Sequence, residues 1–145
     1  MLIQFREEFA VPIDVLYGYF RTPLDWCRLY GMFGPVADLG DGWYSVTLKN
    51  FPFPLVAKIS IVDPNRLVHW KFRGFWRGEG EVRFTQSKGE VIVEGYEDIS
   101  VRWLNFFSPL VEKLYLERGF KKIWKFGWRR IRKLENSSQE SSVKV

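Results

Sequence analysis

Apolar residues recur at helical spacing in residues 109–135, the longest run of this kind in the chain. Their separations are three, four or sums of these, which is typical of one buried helical face. The residues of this face are Leu116, Phe120, Ile123, Ile131 and Leu134. Pro109 suits the first position of a helix because the N–H that it lacks has no helical partner there. The pattern therefore predicts one long helix of roughly 40 Å, enough to cross a small domain.

The chain before this helix begins with an alternating segment and two short helical segments. Residues 2–9 alternate between apolar and polar positions, as a strand with one buried face does. Residues 12–20 carry apolar side chains at positions i, i+3, i+4 and i+7, which predicts a short helix. Thr22 and Asp25 have the spacing of a capping box, which predicts a second short helix over residues 23–30.

Between these segments and the long helix, the pattern changes to short alternating runs separated by turn residues. Short connections favour antiparallel pairing of consecutive strands, so these runs predict a meander. The six predicted strands are residues 35–39, 42–50, 55–63, 66–73, 78–86 and 90–101. Residues 136–145 are rich in serine and lack aromatic residues, so we expect a disordered tail after a single domain of residues 1–135.

The element order is therefore β-α-α-β6-α, which belongs to the α+β class. This order and the segments FAVPIDVLYGYFRTPLDW, DPNRLVHWKF and GEGEVRFTQ resemble the START-like (SRPBCC) helix-grip superfamily. The chain is most similar to its polyketide cyclase/dehydrase-like and lipid-transfer members, which share the pollen-allergen-like fold. The resemblance implies a curved seven-stranded antiparallel sheet around the long C-terminal helix, with a hydrophobic ligand cavity between them. It implies no common set of catalytic residues.

Alternate loops of a meander lie at the same end of the sheet, and here the two ends differ in composition. The polar loops are residues 40–42, 63–66 and 87–89, and the aromatic loops are residues 50–54, 74–77 and 103–109. The rings at the aromatic end are Phe51, Phe53, Phe75, Trp76, Phe106 and Phe107. Such rings would form a large exposed patch, so we expect them to surround a cavity mouth or, alternatively, to plug that end of the sheet.

Strand and helix periodicity adds residues from the interior to this predicted ligand-binding set. Trp70 and Phe72 share one face of their strand, and we expect Phe84 to face inward from the next strand. Phe120 and Trp124 lie on an aromatic row of the long helix. Together with the rings of the aromatic end, these five residues are the predicted contacts for a hydrophobic ligand.

Glu97 is the candidate for acid or base chemistry. It shares the strand parity of Val93 and Ile99, which would direct its carboxylate into the interior and desolvate it. There it would bind a polar group of the ligand or transfer a proton. A bulge near Gly95 would reverse this assignment, and an ordinary solvated or paired strand acid is the simpler interpretation.

The other polar residues point to no recognisable catalytic set. His69 is the single histidine, and its parity is opposite to that of Trp70, so we expect it to point outward. No Ser-His-Asp set, metal cluster or phosphate-binding loop can be assembled, so the sequence predicts neither a metal nor a cofactor. Tyr96, Tyr115 and Arg102 are candidate polar anchors, but each is equally explained by a structural role.

Composition adds two points. Aromatic residues make up 18% of the chain, with 7 Trp and 13 Phe, which is more ring surface than a packed core requires. The net charge is +5, and residues 109–135 hold nine Lys or Arg against three Glu, a net of +6. A solvated helix face explains most of this basic character. The alternatives are contact with an anionic membrane surface and, ranked last because no motif supports it, nucleic-acid binding.

Cysteine content and hydropathy indicate where the protein would reside. Cys27 is the single cysteine, which excludes an internal disulfide and a cysteine-rich metal site. We find no pattern of a signal peptide or of a membrane span, so we expect a cytoplasmic protein.

The leading functional hypothesis is a protein that binds or carries a small hydrophobic ligand, such as a lipid, an isoprenoid, a quinone or a polyketide-like compound. One alternative is an enzyme of the cyclase or dehydratase type that uses the same cavity, with Glu97 or a tyrosine moving protons. Another is an interaction module that docks a protein or a membrane through its aromatic end. The oligomeric state does not follow from the sequence.

Overall fold

The computed structural model describes residues 1–29, 33–48, 53–101 and 109–143. Its elements are β1 (Leu2–Phe9), α1 (Ile13–Gly18), α2 (Pro23–Leu29), β2 (Phe33–Gly40), β3 (Trp43–Leu48), β4 (Leu55–Asp63), β5 (Leu67–Arg73), β6 (Trp76–Ser87), β7 (Glu90–Val101) and α3 (Pro109–Val143). Each predicted strand and helix is present, and the boundaries differ mostly by one to three residues. The predicted α+β order is therefore confirmed.

In the described part of the chain, seven strands form one open, curved antiparallel sheet with the order β1-β7-β6-β5-β4-β3-β2. Each strand from β2 to β6 pairs with the strand that follows it in the chain, and the first strand, β1, pairs with the last, β7. This is the predicted meander, so the turns do alternate between two ends of the sheet. The pairing of β7 with β1 and with β6 shows no register shift, so no bulge at Gly95 reverses the direction of Glu97.

The core lies between the inner face of the sheet and the three helices. Trp70 and Phe72 on β5 and Phe84 on β6 are buried on this face, as strand parity predicted. Phe20, just after α1, packs between the ring of Phe84 and the indole of Trp124 on α3. The helices therefore cover the aromatic inner face and exclude water from it.

The C-terminal half of α3 is tied to the end of β1 by polar contacts. The guanidinium group of Arg132 donates hydrogen bonds to the carbonyl oxygen of Glu8 at 2.6 Å and to the carboxylate of Glu7 at 3.1 Å. The carboxylate of Glu135 accepts a hydrogen bond from the backbone N–H of Ala10 at 3.2 Å. These contacts fix the rotation of the helix and turn its aromatic rows towards the sheet.

The structure corrects the predicted end of this helix. Helical backbone continues beyond Glu135 to Val143, whereas the sequence suggested a disordered tail from residue 136. The segment contains neither glycine nor proline, and its Asn, Ser, Gln and Glu residues lower helix propensity only modestly, so no residue stops the helix. The assignment of residues 1–135 to one domain stays a prediction.

Gly80 on β6 allows the indole of Trp70 to lie against the sheet. A Cβ atom placed on Gly80 would lie 2.4 Å from Nε1 of Trp70 and 2.5 Å from its Cε2 atom, well inside van der Waals contact. Gly80 pairs with Trp70 on one side and with Glu97 on the other. The missing side chain therefore makes room for the indole between two strands.

We predict that Gly80→Ala destabilises the fold by about 1–3 kcal/mol, because the new methyl group displaces the buried indole of Trp70. The free energy of unfolding is measured by urea denaturation. Gly18→Ala is the matched control, because a Cβ at Gly18 meets no atom within 4 Å and that residue ends α1. An equal effect of the two substitutions would show that the close approach of Trp70 does not matter.

Candidate functional site

An internal cavity lies between the inner face of the sheet and α3, with the two short helices closing one side. Its walls are almost wholly apolar, and a single carboxyl group interrupts them. The residues that line it are Phe20, Trp26, Leu55, Trp70, Glu97, Phe120, Ile123 and Trp124. Four of these, Trp70, Glu97, Phe120 and Trp124, were candidates from the sequence.

Backbone register explains how Trp70 and Glu97 come to share one wall. Trp70, Gly80 and Glu97 form a row across β5, β6 and β7, since Gly80 is paired with both of the others. Side chains of directly paired residues stand on the same face, with Cβ atoms about 5 Å apart. The indole of Trp70 therefore extends over Gly80 towards the strand that carries Glu97.

Glu97 is a buried acid with one described hydrogen-bond partner. Its residue is 8% exposed, and its Oε2 atom accepts a hydrogen bond from Nε1 of Trp124 at 3.1 Å. Desolvation raises the pKa of Glu97 to about 8, and the indole hydrogen bond opposes this shift only in part. The carboxyl group is therefore predominantly protonated at neutral pH and can donate a hydrogen bond.

Trp70 presents the second polar group of the cavity. The residue is 1% exposed, and its ring meets the ring of Trp26 edge to face, with centroids 5.3 Å apart. Its Nε1–H is buried and has no hydrogen-bond acceptor among the described residues. A buried donor without an acceptor costs roughly 1–3 kcal/mol, so this N–H marks a place where an added acceptor would stabilise the protein.

The cavity is small in this conformation. The space that a water-sized sphere can occupy has a volume of about 20 Å³, enough for about one water molecule. A lipophilic ligand therefore requires displacement of at least one wall. One wall is formed by α3 alone, so movement of this helix would enlarge the cavity. Phe120, Ile123 and Trp124 would move with it.

Four lining residues were not predicted from the sequence: Phe20, Trp26, Leu55 and Ile123. Two of them lie in or next to the short helices, Trp26 in α2 and Phe20 just after α1. A capping box begins α2: Thr22 Oγ1 accepts a hydrogen bond from the backbone N–H of Asp25 at 3.2 Å and donates one to its carboxylate at 2.8 Å. This cap sets the direction of α2, and Trp26 then faces inward and donates from Nε1 to the carbonyl oxygen of Phe20 at 3.2 Å. The capping signal was readable in the sequence, but the depth to which Trp26 reaches was not.

The aromatic end is partly described, and its rings are packed together. Phe53 stacks on Phe75 with centroids 4.0 Å apart, and the buried indole of Trp76 donates to the carbonyl oxygen of Phe53 at 3.2 Å. Trp76 also meets Phe120 of α3 edge to face at 5.4 Å. Whether this end forms a cavity mouth or a plug stays a prediction. The predicted contacts Phe51, Phe106 and Phe107, and the candidate anchor Arg102, lie outside the described residues.

The remaining candidates do not line the cavity. Phe72 is buried elsewhere in the core. Phe84 packs against the rings of Tyr17 in α1 and of Phe20 just after it. Tyr115 is exposed on α3, and the hydroxyl of Tyr96 donates to Glu79 at 3.5 Å. The part played by all these residues in ligand binding stays a prediction.

His69 lies on the face opposite Trp70, as its parity predicted, yet it is only 9% exposed. Two carboxylates of β6 cover it: Nε2 lies 3.2 Å from Oε2 of Glu79, and Nδ1 lies 3.5 Å from Oε1 of Glu81. The imidazole is therefore part of a polar cluster on the outer face, separated from the cavity by the sheet.

The described residues contain no group of three or more His, Cys, Asp or Glu side chains arranged to hold a metal ion. Within the same residues, no helix combines the length and the apolar character needed to cross a membrane.

No protein-family model matches the chain, and no curated protein matches it in sequence. Solved structures do match. A START superfamily protein from Mycobacterium smegmatis is 13% identical with a TM-score of 0.64, over 92% of this chain and 98% of that one. The Aha1 dimer from Colwellia psychrerythraea is also 13% identical with a TM-score of 0.64, over 93% and 96% of the two chains.

A conserved protein from Geobacillus kaustophilus is 10% identical with a TM-score of 0.73, over 95% of this chain and 97% of that one. Identities this low show the fold alone. The chain therefore has the START-like helix-grip fold that its sequence indicated.

We predict that Glu97 makes the protein less stable as the pH rises. In the unfolded chain its pKa is near 4.5, and in the folded protein it is about 8, so the folded state binds the extra proton. Its contribution is complete below the unfolded value and is lost as the pH rises to the folded value, by on the order of 4 kcal/mol. Urea denaturation across this pH range measures the slope.

Glu97→Gln should remove this slope, because glutamine does not titrate. Glu90→Gln, an exposed position on the same strand, is the control that should retain it. A wild-type slope that survives in Glu97→Gln would mean that another group titrates.

Proposed function

We propose that this helix-grip domain binds or carries a small hydrophobic ligand in the cavity between its sheet and α3. The observation that carries the proposal is a buried carboxyl group and a buried, unpaired indole N–H on the wall of an otherwise apolar cavity. Apolar walls with a few convergent polar groups are typical of small-molecule sites. A core with only a structural role gains nothing from a desolvated acid and an unpaired donor.

Ligand entry requires α3 to move away from the sheet. The C-terminal half of α3 is held on β1 through Arg132 and Glu135, whereas Trp124 and Glu97 form the described polar link in the middle of the helix. We therefore expect the N-terminal half of α3 to swing outward at the aromatic end. Each square ångström of ligand surface that the cavity then covers contributes about 25 cal/mol.

A cyclase or dehydratase type of reaction is the second candidate, and one observation favours it. The carboxyl group of Glu97 is protonated near neutral pH, and general acids work best when their pKa lies near the working pH. In that case Glu97 would donate a proton to a bound substrate. Full turnover by Glu97→Gln on a substrate that the domain converts would rule out this role.

The ligand proposal predicts that filling the cavity abolishes binding. In Ile123→Phe a larger ring occupies the space, so retention of a neutral lipophilic dye such as Nile red should fall by at least about tenfold, as expected for a site closed by overpacking. Organic extraction of the purified protein followed by mass spectrometry should likewise recover a lipophile from the wild type and not from the variant.

Val62→Phe is the matched control, because Val62 on β4 is exposed and far from the lining residues. It should bind the dye as the wild type does. If Ile123→Phe retains full binding, the dye sits elsewhere, and the aromatic end remains as a docking surface for a protein or a membrane.

We also propose that α3 brings the carrier to anionic membrane surfaces. Five cations lie within one narrow stripe on the exposed side of α3, directly opposite its buried face: Arg118, Lys122, Lys125, Arg129 and Lys133. None of the five forms an ion pair with a described residue, whereas Lys121 pairs with Glu117 and Arg130 binds the carbonyl oxygen of Arg28. Phe126, 41% exposed, lies beside the stripe and would insert between lipid headgroups.

This second proposal predicts a charge-dependent interaction with lipid vesicles. The wild type should sediment with phosphatidylcholine vesicles only when they contain phosphatidylglycerol. Lys122→Glu with Arg129→Glu should weaken this binding by at least about thirtyfold, at roughly 1 kcal/mol for each cation lost. Lys71→Glu with Arg77→Glu, which changes the charge equally on the outer face of the sheet, should have little effect. Equal loss in both double variants would contradict a role for the stripe.

A further inference from the structure

The cavity wall presents two hydrogen-bond donors side by side. One is the indole N–H of Trp70, which has no acceptor among the described residues, and the other is the carboxyl group of Glu97. They belong to one row of paired residues, with Gly80 between them, and Gly80 has no side chain to separate them. Both residues line the same cavity, so a ligand that enters it meets both groups.

One carboxyl oxygen and one indole N–H of this wall are already engaged. Oε2 of Glu97 accepts the hydrogen bond of Trp124, and Nε1 of Trp26 donates to the carbonyl oxygen of Phe20. The other described lining residues are hydrocarbon rings or aliphatic chains, and none of them is ionisable. A ligand that brings another donor would have to share the oxygens of Glu97, the one described side chain on this wall that can accept, whereas a ligand that brings an acceptor would meet two donors.

We propose that the ligand is a neutral carbonyl compound whose oxygen accepts hydrogen bonds from Nε1 of Trp70 and from the carboxyl group of Glu97. This inference rests on the proposed function and specifies the class of ligand. A carbonyl oxygen has two lone pairs in one plane and no proton of its own, so it satisfies both donors at once. The remainder of the molecule is apolar, as the walls require.

Other ligand classes fit the same wall less well. A carboxylate or phosphate needs a cation, and the described lining residues include no Lys, Arg or His. An amine needs an ionised Glu97, which desolvation opposes. An alcohol accepts hydrogen bonds but adds a donor of its own, for which Glu97 is the one described lining side chain that can accept. The neutral carbonyl is the class that pairs the N–H of Trp70 without adding a donor.

Two probes of nearly equal shape test the proposal. Acetophenone and α-methylstyrene differ in that an oxygen replaces a terminal CH₂ group, so apolar burial is the same for both. The affinities are measured by calorimetric or NMR titration at a pH below the pKa of Glu97. We expect acetophenone to bind about tenfold more tightly, as two hydrogen bonds of ordinary net strength would give, and its carbonyl stretch to move to lower frequency in the complex.

Substitution and pH then assign the two donors. Trp70→Phe keeps an aromatic ring but lacks the N–H, so the affinity for acetophenone should fall about three- to tenfold while that for α-methylstyrene is unchanged. Trp43→Phe, which also removes an indole N–H but at a residue that does not line the cavity, should not change the ratio of the two affinities. The preference for acetophenone should shrink above about pH 8, where Glu97 loses the proton that it donates.

The outcomes separate this inference from the function on which it rests. Equal affinities for the two probes would overturn the carbonyl assignment and leave a hydrophobic site in place. Failure of both probes to bind the wild type would overturn the site itself. If Trp70→Phe does not fold, the carbonyl stretch and the pH dependence of the wild type decide, and an unshifted stretch in bound acetophenone overturns the proposal.

Discussion

The desolvation of one carboxyl group governs much of this structure. Glu97 lies on β7, beside the edge strand β1, and its buried side chain receives a hydrogen bond from Trp124 on the long helix. Removing a carboxylate from water is so unfavourable that the group keeps its proton instead. Desolvation therefore raises the pKa of this acid at the interface between sheet and helix to about 8 and favours its neutral form.

The arrangement of α3 is the basis for the proposed entry of a ligand into a nearly filled interior. Arg132 and Glu135 hold the C-terminal half of the helix on β1, and Trp124 donates a hydrogen bond to Glu97 from the middle of the helix. Rings that meet edge to face, such as Trp76 and Phe120, separate without leaving a charge unpaired. In the proposed entry route, the inner face of the helix leaves the sheet at one end while the other end stays attached.

Much of the fold and part of the site followed from the sequence, because strand alternation is a local property. The parity of β5 and β7 directed Trp70 and Glu97 inward, and the short turns predicted the meander. The size of the cavity did not follow, since it depends on how Phe20 and Trp26 fill the space beneath the sheet. The burial of His69 did not follow either, because it depends on two acids of the neighbouring strand β6. The alternation within one strand does not show which residues of another strand lie beside it.

The most direct test is the titration of Glu97 itself, followed through the carboxyl carbon resonance of ¹³C-labelled glutamate, with Glu97→Gln used to assign the signal. We expect this one glutamate to remain protonated through neutral pH and to titrate near pH 8, and we expect bound acetophenone to raise its apparent pKa further. A resonance that titrates near pH 4.5 and is unaffected by acetophenone would show instead that Glu97 is a solvated carboxylate.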